Sequence, residues 1–328
     1  MSKRVKLDQV VTHSCCCSKR VGAHISAAGG VFNAFSNNSV VDGKAFACFL
    51  KSQRKWTSPP LSDSDVTKFN EKAIEFNFDK KFILPHGSYL INLASPDPEM
   101  RAKSFDNFLD DLQRCHRFGI SLYNFHPGST VGKITVNQAL EHISESINRV
   151  HSLVPNVIVV LETMAGQGNV VGSKFEELRD IITKVEDKSR IGVCIDTCHI
   201  FSAGYDIRSR KAYDKTMEKF ESTIGFKYLK GVHLNDSKTG FNEGKDRHEN
   251  IGKGKIGLNT FKYIMNDPRF DNIPMVLETP ASENDSTDIY KEEIKLLYSL
   301  IENKSEYDVD SKESGNEIAE DESEKESK

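Results

Sequence analysis

The sequence predicts a single (β/α)8 TIM barrel with a metal cluster at the C-terminal rim of its strands. Three observations carry this. Short β-rich runs alternate with longer stretches of helical period along the 328 residues. Several of the runs are almost continuously apolar and β-branched, as parallel strands buried on both faces should be. From the third run to the eighth, each carries His, Asp or Glu at its last residue or the one before, at the end of a barrel strand where such folds build their active sites.

In chain order, strands are expected over 21–26, 45–50, 81–86, 121–126, 157–163, 191–197, 228–236 and 274–279. Helical patterns between and after them include 65–77, 98–118, 136–153, 174–186, 212–224, 258–266 and 289–301. Eight strand-then-helix units favour the closed barrel over its competitor, a doubly wound open sheet. The barrel is expected to occupy residues 20–301.

Both flanks differ in composition. Residues 1–19 read as a loose basic leader with three adjacent cysteines (Cys15, Cys16, Cys17), and 302–328 as a disordered acidic tail with eleven acidic and four basic residues. The formal net charge of −4 shows no DNA-binding face, although bound divalent ions would add positive charge that such a sum omits.

A hydrophobic content of 38% with 28% charged residues describes a soluble chain with a real core. No apolar run approaches the roughly 18 residues of a membrane span, and no apolar stretch follows the basic start as in a secretory signal. Seven cysteines without paired spacing suggest a reducing compartment. Cys194 and Cys198 hint at a thiolate site beside His199, but no second cysteine pair completes it, so structural cysteines are expected.

The strand ends carry the chemistry. They read Leu84-Pro85-His86-Gly87, Asn124-Phe125-His126-Pro127, Leu161-Glu162-Thr163, Asp196-Thr197-Cys198-His199, His233-Leu234-Asn235-Asp236 and Leu277-Glu278-Thr279, with Asp246-Arg247-His248 in the following loop. One histidine ending an apolar strand is more often a hydrogen-bonded core residue than a ligand. Six consecutive strands ending this way reverse that balance, because each buried ionisable group is costly unless paired or metal-bound. Nitrogen and oxygen donors suit zinc, manganese or iron, and the weight of imidazole favours zinc. Nine donors exceed the needs of one ion. A shared carboxylate permits a compact cluster suited to phosphoryl chemistry, one ion activating water while others stabilise the attacking and leaving oxygens.

Together with Gly22-Ala23-His24-Ile25-Ser26, Ala165-Gly166-Gln167-Gly168 and Gly225-Phe226-Lys227-Tyr228, these strings resemble the endonuclease IV family of apurinic/apyrimidinic DNA endonucleases, over nearly all of 20–301. The resemblance implies a trinuclear zinc TIM barrel, with room for partial manganese or iron occupancy. His86, His126 and Glu162 would hold the first ion. Glu162 would bridge to a second completed by Asp196, His233 and Glu278, with a catalytic role for Glu162. His199, Asp246 and His248 would hold the third.

The same resemblance implies cleavage of double-stranded DNA on the 5′ side of an abasic site, leaving a 3′-hydroxyl, and trimming of blocked 3′ ends. Arg54 and Tyr89 match the loop residues that probe the gap. Taken alone, Arg54 reads as a solvated loop charge and Tyr89 as a loop anchor. His24 is expected to line the site, and Trp56 to pack its loop. A monomer is expected. Residues 3–8 resemble a nuclear import signal, with mitochondrion or cytoplasm as alternatives. The rival function is a barrel sugar isomerase or epimerase, for which Glu162, Asp196, His233 and Glu278 would suffice.

Overall fold

Seven strands of the computed structural model, which describes residues 18–281 and 288–302, form one parallel sheet. They are β1 (Arg20–His24), β2 (Ala45–Ala47), β3 (Leu122–Phe125), β4 (Ile158–Glu162), β5 (Ile191–Asp196), β6 (Leu229–His233) and, after the short antiparallel hairpin β7 (Asp236–Ser237) and β8 (His248–Glu249), β9 (Pro274–Leu277). The spatial order is β2-β1-β9-β6-β5-β4-β3, so β2 and β3 are the two free edges.

The stretch expected as strand 81–86 closes that gap without becoming a continuous strand. Leu84 N–H and His86 N–H donate to the carbonyls of Phe46 and Cys48 at 2.9 and 3.0 Å, while Gly87 N–H and Asn124 N–H bond across to Asn124 and Pro85 at 2.8 and 2.9 Å. Pro85 has no N–H to give, so the ladder is interrupted there and survives as isolated bridges. The ring is complete, with the proline-broken segment as its eighth stave.

The helices surround it: α1 (Asn33–Val40), α2 (Asp63–Glu75), α3 (Pro98–Phe118), α4 (Val136–Leu153), α5 (Phe175–Lys184), α6 (Thr197–Ser202), α7 (Arg210–Thr223), α8 (Leu258–Met265) and α9 (Asp288–Ser299). From α2 onward, consecutive outer helices pack on one another, except that the short α6 packs on β5 and β7 and α7 takes its place beside α5. Local chemistry sets the ends. Asp97 accepts the amide of Glu99 ahead of Pro98, and Gly119 at φ 71° stops α3 in the left-handed conformation that glycine takes without cost. Thr135 and Gln138 form a reciprocal capping box at the start of α4. None of the described helices is long and apolar enough to cross a membrane.

The barrel interior is layered. Leu84, Leu122, Val160 and Cys194 form a separate buried cluster inside the ring. Strand side chains alternate with period two, so the residues two positions on (His86, Asn124, Glu162 and Asp196) point into the same interior one layer higher. Gly231 makes room for this plug, since a Cβ there would lie 2.6 Å from Leu84 Cδ2.

Two residues before the expected start, at 18 and 19, are already tied to the barrel. Lys19, placed in the leader by the sequence, is buried with its ammonium 2.7 Å from Asp271, and Ser18 accepts the amide of Asn272 at 2.8 Å. At the other end Glu302 pairs with Lys262 at 2.8 Å. The import reading of 3–8, the cysteines at 15–17 and the acidic tail after 302 lie outside the described residues.

His151, near the end of α4, is buried with no hydrogen-bond partner for either ring nitrogen among the described residues. Burial, helped by the Arg190 cation, pushes its pKa down to about 4. The unfolded chain then binds more protons than the folded one between that value and the ordinary histidine range near 6.5, so stability falls as pH drops through this window. We expect His151→Leu to lose less melting temperature than the parent between pH 7 and pH 5; equal losses would show that His151 does not contribute.

Candidate metal centre

At the rim, the ends of β4 and β5 set the centre. Glu162, the last residue of β4, is fully buried and stands among four imidazoles. Its Oε2 lies 3.1 Å from His86 Nε2 and 3.6 Å from His126 Nε2; its Oε1 lies 3.1 Å from His233 Nδ1 and 3.3 Å from His199 Nδ1. Asn124 donates its side-chain amide to Oε2 at 2.6 Å. Burial alone would raise this carboxyl's pKa, but the neighbouring imidazoles, His233 foremost, hold it well below the carboxylate range.

Asp196 ends β5 and caps α6, accepting the amide of His199 at 2.9 Å with Oδ1. Its Oδ2 takes the Asn235 amide at 2.7 Å and lies 3.8 and 3.6 Å from His233 Nδ1 and His248 Nε2. The one-turn cap therefore orients Asp196 and brings His199 onto the same side of the rim. Glu278 follows β9; it lies 3.2 Å from His233 Nδ1 and is met on its other oxygen by His24 Nδ1 at 2.9 Å. Asp246 Oδ1 sits 3.1 Å from His199 Nε2 and 3.2 Å from His248 Nε2.

Three rings are oriented by backbone carbonyls. His86 Nδ1–H donates to Gly87 at 2.8 Å, His199 Nδ1–H to Thr163 at 2.8 Å and His248 Nδ1–H to Glu278 at 3.1 Å. With Nδ1 committed as donor, the lone pair of each Nε2 faces inward, the arrangement typical of metal-binding histidines. His199 Nε2 and His248 Nε2 are only 3.5 Å apart. Two lone pairs that close, both facing one carboxylate oxygen, call for a cation between them. Burial opposes the charged ring at His199 and His248, yet the carboxylates, Asp196 first, overcome it and hold His199 well above its ordinary pKa and His248 at about 9.

All nine sequence-named side chains thus meet at one rim. Their donor atoms fall into overlapping groups able to hold an ion: His86, His126 and Glu162; Glu162, Asp196, His233 and Glu278; and Asp196, His199 and His248. Asp246 joins His248 through a further group that includes the buried thiol of Cys198. Sequence reasoning missed the residues that orient these donors. Asn124 and Asn235 are fully buried, and Asn235 also accepts the Glu278 amide at 2.9 Å, tying β5 to β9.

Tyr89 lies beside the centre with its ring 5.4 and 5.6 Å from those of His86 and His126, and it is 60% exposed, so one face is open to a ligand. Arg54 is exposed in a turn at 52–55 with no ion pair among the described residues. Its loop is fixed from below. Arg114 donates to the Pro59 carbonyl at 2.7 Å, Asn107 to that of Trp56 at 2.9 Å and Ser88 to that of Gln53 at 2.8 Å, while buried Lys51 reaches Asp110 at 2.6 Å. Trp56 is half-buried in this loop, as expected, and His24 lines the cleft beside it, which has a volume of about 560 Å³.

Fold and donor set together define a TIM barrel with a metal-binding centre at its rim. A family described as xylose isomerase-like TIM barrel matches residues 42–300. The apurinic-apyrimidinic endonuclease 1 of Plasmodium berghei is 58% identical over 280 residues, 85% of this chain and 55% of that protein. The probable endonuclease 4 of Chlorobium phaeovibrioides is 49% identical over 86% of this chain and 99% of its own length. The crystal structure of endonuclease IV from Thermus thermophilus superposes with a TM-score of 0.74 at 28% identity, covering 86% of this chain and 98% of that one. The chain belongs to the endonuclease IV family. It spans about half the length of the Plasmodium relative.

Removing Asn235 leaves Asp196 and the Glu278 amide each short of a partner. A buried polar group so orphaned costs about 1–3 kcal/mol. We expect Asn235→Ala to lower the urea midpoint of the metal-free protein accordingly; an unchanged midpoint would mean that the rim does not depend on it.

Proposed function

We propose that this chain is a zinc-dependent DNA-repair endonuclease. It hydrolyses the phosphodiester on the 5′ side of an apurinic/apyrimidinic site in double-stranded DNA, leaves a 3′-hydroxyl and removes blocked 3′ ends. One observation carries this reading: nine nitrogen and oxygen donors meet at one rim in overlapping groups, with Glu162 common to two of them and Asp246 and His248 joined to the rest through His199 and Asp196. A sugar isomerase or epimerase would need only Glu162, Asp196, His233 and Glu278. His86, His126, His199, Asp246 and His248 are then surplus, whereas a trinuclear site uses them all. The names carried by relatives at 49–58% identity support the same choice.

The residues fit three zinc ions. His86, His126 and Glu162 would hold the first, Glu162, Asp196, His233 and Glu278 the second, and His199, Asp246 and His248 the third. Bound there, the ions would neutralise the phosphate and activate water. The chain supplies the geometry. Glu162 stays ionised and shared, the three carbonyl-bound imidazoles keep their lone pairs inward, and the Asn124 and Asn235 amides stop two carboxylates from turning away. Tyr89, exposed beside His86 and His126, and Arg54, on the loop whose Gln53 carbonyl Ser88 holds, would engage a backbone that lacks a base. The protein would act as a monomer on nuclear DNA, with mitochondrion or cytoplasm as the alternative settings.

We expect metal analysis of purified protein to find about three zinc ions per chain, the number the family resemblance implies. Incision of an abasic oligonucleotide duplex should stop on chelation and return with zinc. A chain with three ions that leaves the abasic duplex intact but epimerises a sugar would transfer the assignment to the rival class. A single ion would contradict the trinuclear centre.

A further inference from the structure

We infer that the β7–β8 hairpin and the loop that follows it form a phosphate-binding ridge along one flank of the metal centre, with Lys238, Arg247, Lys253 and Lys255 as its contacts. The inference rests on the DNA reading above but concerns residues that reading does not use.

The hairpin register pairs Asp236 with Glu249 and Ser237 with His248, and the Lys238 amide donates to the Arg247 carbonyl at 2.9 Å. Lys238 and Arg247 are therefore directly opposite, with Cβ atoms about 4.5–5.5 Å apart on one face. Both are exposed, and neither forms an ion pair among the described residues. The acidic neighbours are engaged elsewhere: Glu243 with Lys245 at 2.9 Å, Asp246 with His199 and His248, and Glu249 with the Asn250 amide at 2.9 Å. Like charges opposite one another on a two-stranded ribbon are destabilising. A bound anion offsets that cost.

The next loop is built to display two more cations. Buried Asp236 accepts backbone amides from Ser237, Gly252, Gly254, Ile256 and Gly257 at 2.7, 3.0, 3.1, 2.9 and 3.3 Å, and so wraps 252–257 around a single carboxylate. Gly254 is required at this approach, since a Cβ there would lie 2.4 Å from Asp236 Oδ1. The wrap turns Lys253 and Lys255 out to solvent with no ion pair among the described residues, although Glu293 and Glu243, respectively, lie near enough to feel their charges. Arg247 lies between Asp246 and His248 in sequence, so the ridge begins at the metal donors and runs outward. Four cations held by a rigid backbone beside a phosphodiester-cleaving centre fit the repeated phosphates of one nucleic acid strand. They carry no base readout, because phosphate contacts set register and affinity only.

The test compares the parent holoenzyme with Lys238→Gln/Arg247→Gln and, separately, Lys253→Gln/Lys255→Gln, binding an undamaged oligonucleotide duplex over a range of salt. Each phosphate contact contributes about 0.9 to the slope of log affinity against log salt. Each double variant should therefore lower the slope by about 2, with weaker binding at low salt. For the Lys238/Arg247 variant, the melting temperature at low salt should hold or rise as the repulsion is removed. Unchanged slopes in both variants would overturn the ridge, as would a parent that does not bind duplex, or a lower melting temperature with an unchanged slope. Abasic incision is scored separately. Reduced slopes without any incision keep the ridge and sink the endonuclease reading, whereas incision by the parent with unchanged slopes does the reverse.

Discussion

The carboxylate of Glu162 is the constraint on which the rest of the rim depends. An ionised side chain with no solvent exposure is among the most costly things a fold can contain, and it survives only among opposite charges and hydrogen-bond donors. Here the compensation comes from four imidazoles and one amide, reaching it from the eighth stave and from β3, β5 and β6 or the segments just after them. No single strand can provide it. The parallel register of the barrel, with side chains alternating from an apolar plug at Leu84, Leu122, Val160 and Cys194 to a polar layer above, brings these donors to one height. A slip of one residue in any of these staves would turn its donor into the helix layer.

The same economy appears around the centre. Backbone carbonyls at Gly87, Thr163 and Glu278 fix three rings, so the chain's path after each strand also sets which nitrogen faces inward. Buried acids away from the centre hold the loops that carry its outer parts. Asp236 gathers the loop after β8, and Glu293 on α9 takes the Ile251 amide at 2.7 Å and the Thr279 hydroxyl at 2.5 Å, next to His248 and Glu278. On the opposite flank, Lys51, Asn107 and Arg114 steady the loop of Arg54. The site is thus flanked by two independently braced loop systems, one presenting Arg54 and the other a row of cations. Substrate can meet preformed surfaces rather than order them on arrival.

Much of this was legible in the sequence because it rests on periodicity and on strand-end chemistry. The helices at 98–118 and 136–153 have the boundaries read from their pattern, being long and strongly amphipathic. The nine donors were identifiable because ionisable residues ending apolar strands are conspicuous. What escaped depends on contacts distant in the chain. Pro85 broke an expected strand that still closes the ring through its remaining amides. Helix α1, rich in Asn and Ser, carries little helical signal and is held by burial of Ala34, Phe35 and Asn38. Helix α6 overlaps the strand expected at 191–197 by one residue, and its six residues are too few for a helical period to register; its cap, Asp196, is also the last residue of β5. Asn124 and Asn235 looked like ordinary strand-end polar residues; only their approach to Glu162 and Asp196 gives them a task.

Glu162 as a carboxylate shared between two ions is the central claim, and metal stoichiometry tests it most directly. Glu162→Gln preserves shape and removes the charge. If the carboxylate bridges, the folded variant should retain about one ion per chain under conditions where the parent holds its full set, because two of the three positions lose a ligand together. A variant that gives up a single ion, or none, would place Glu162 in one coordination shell at most and contradict the account.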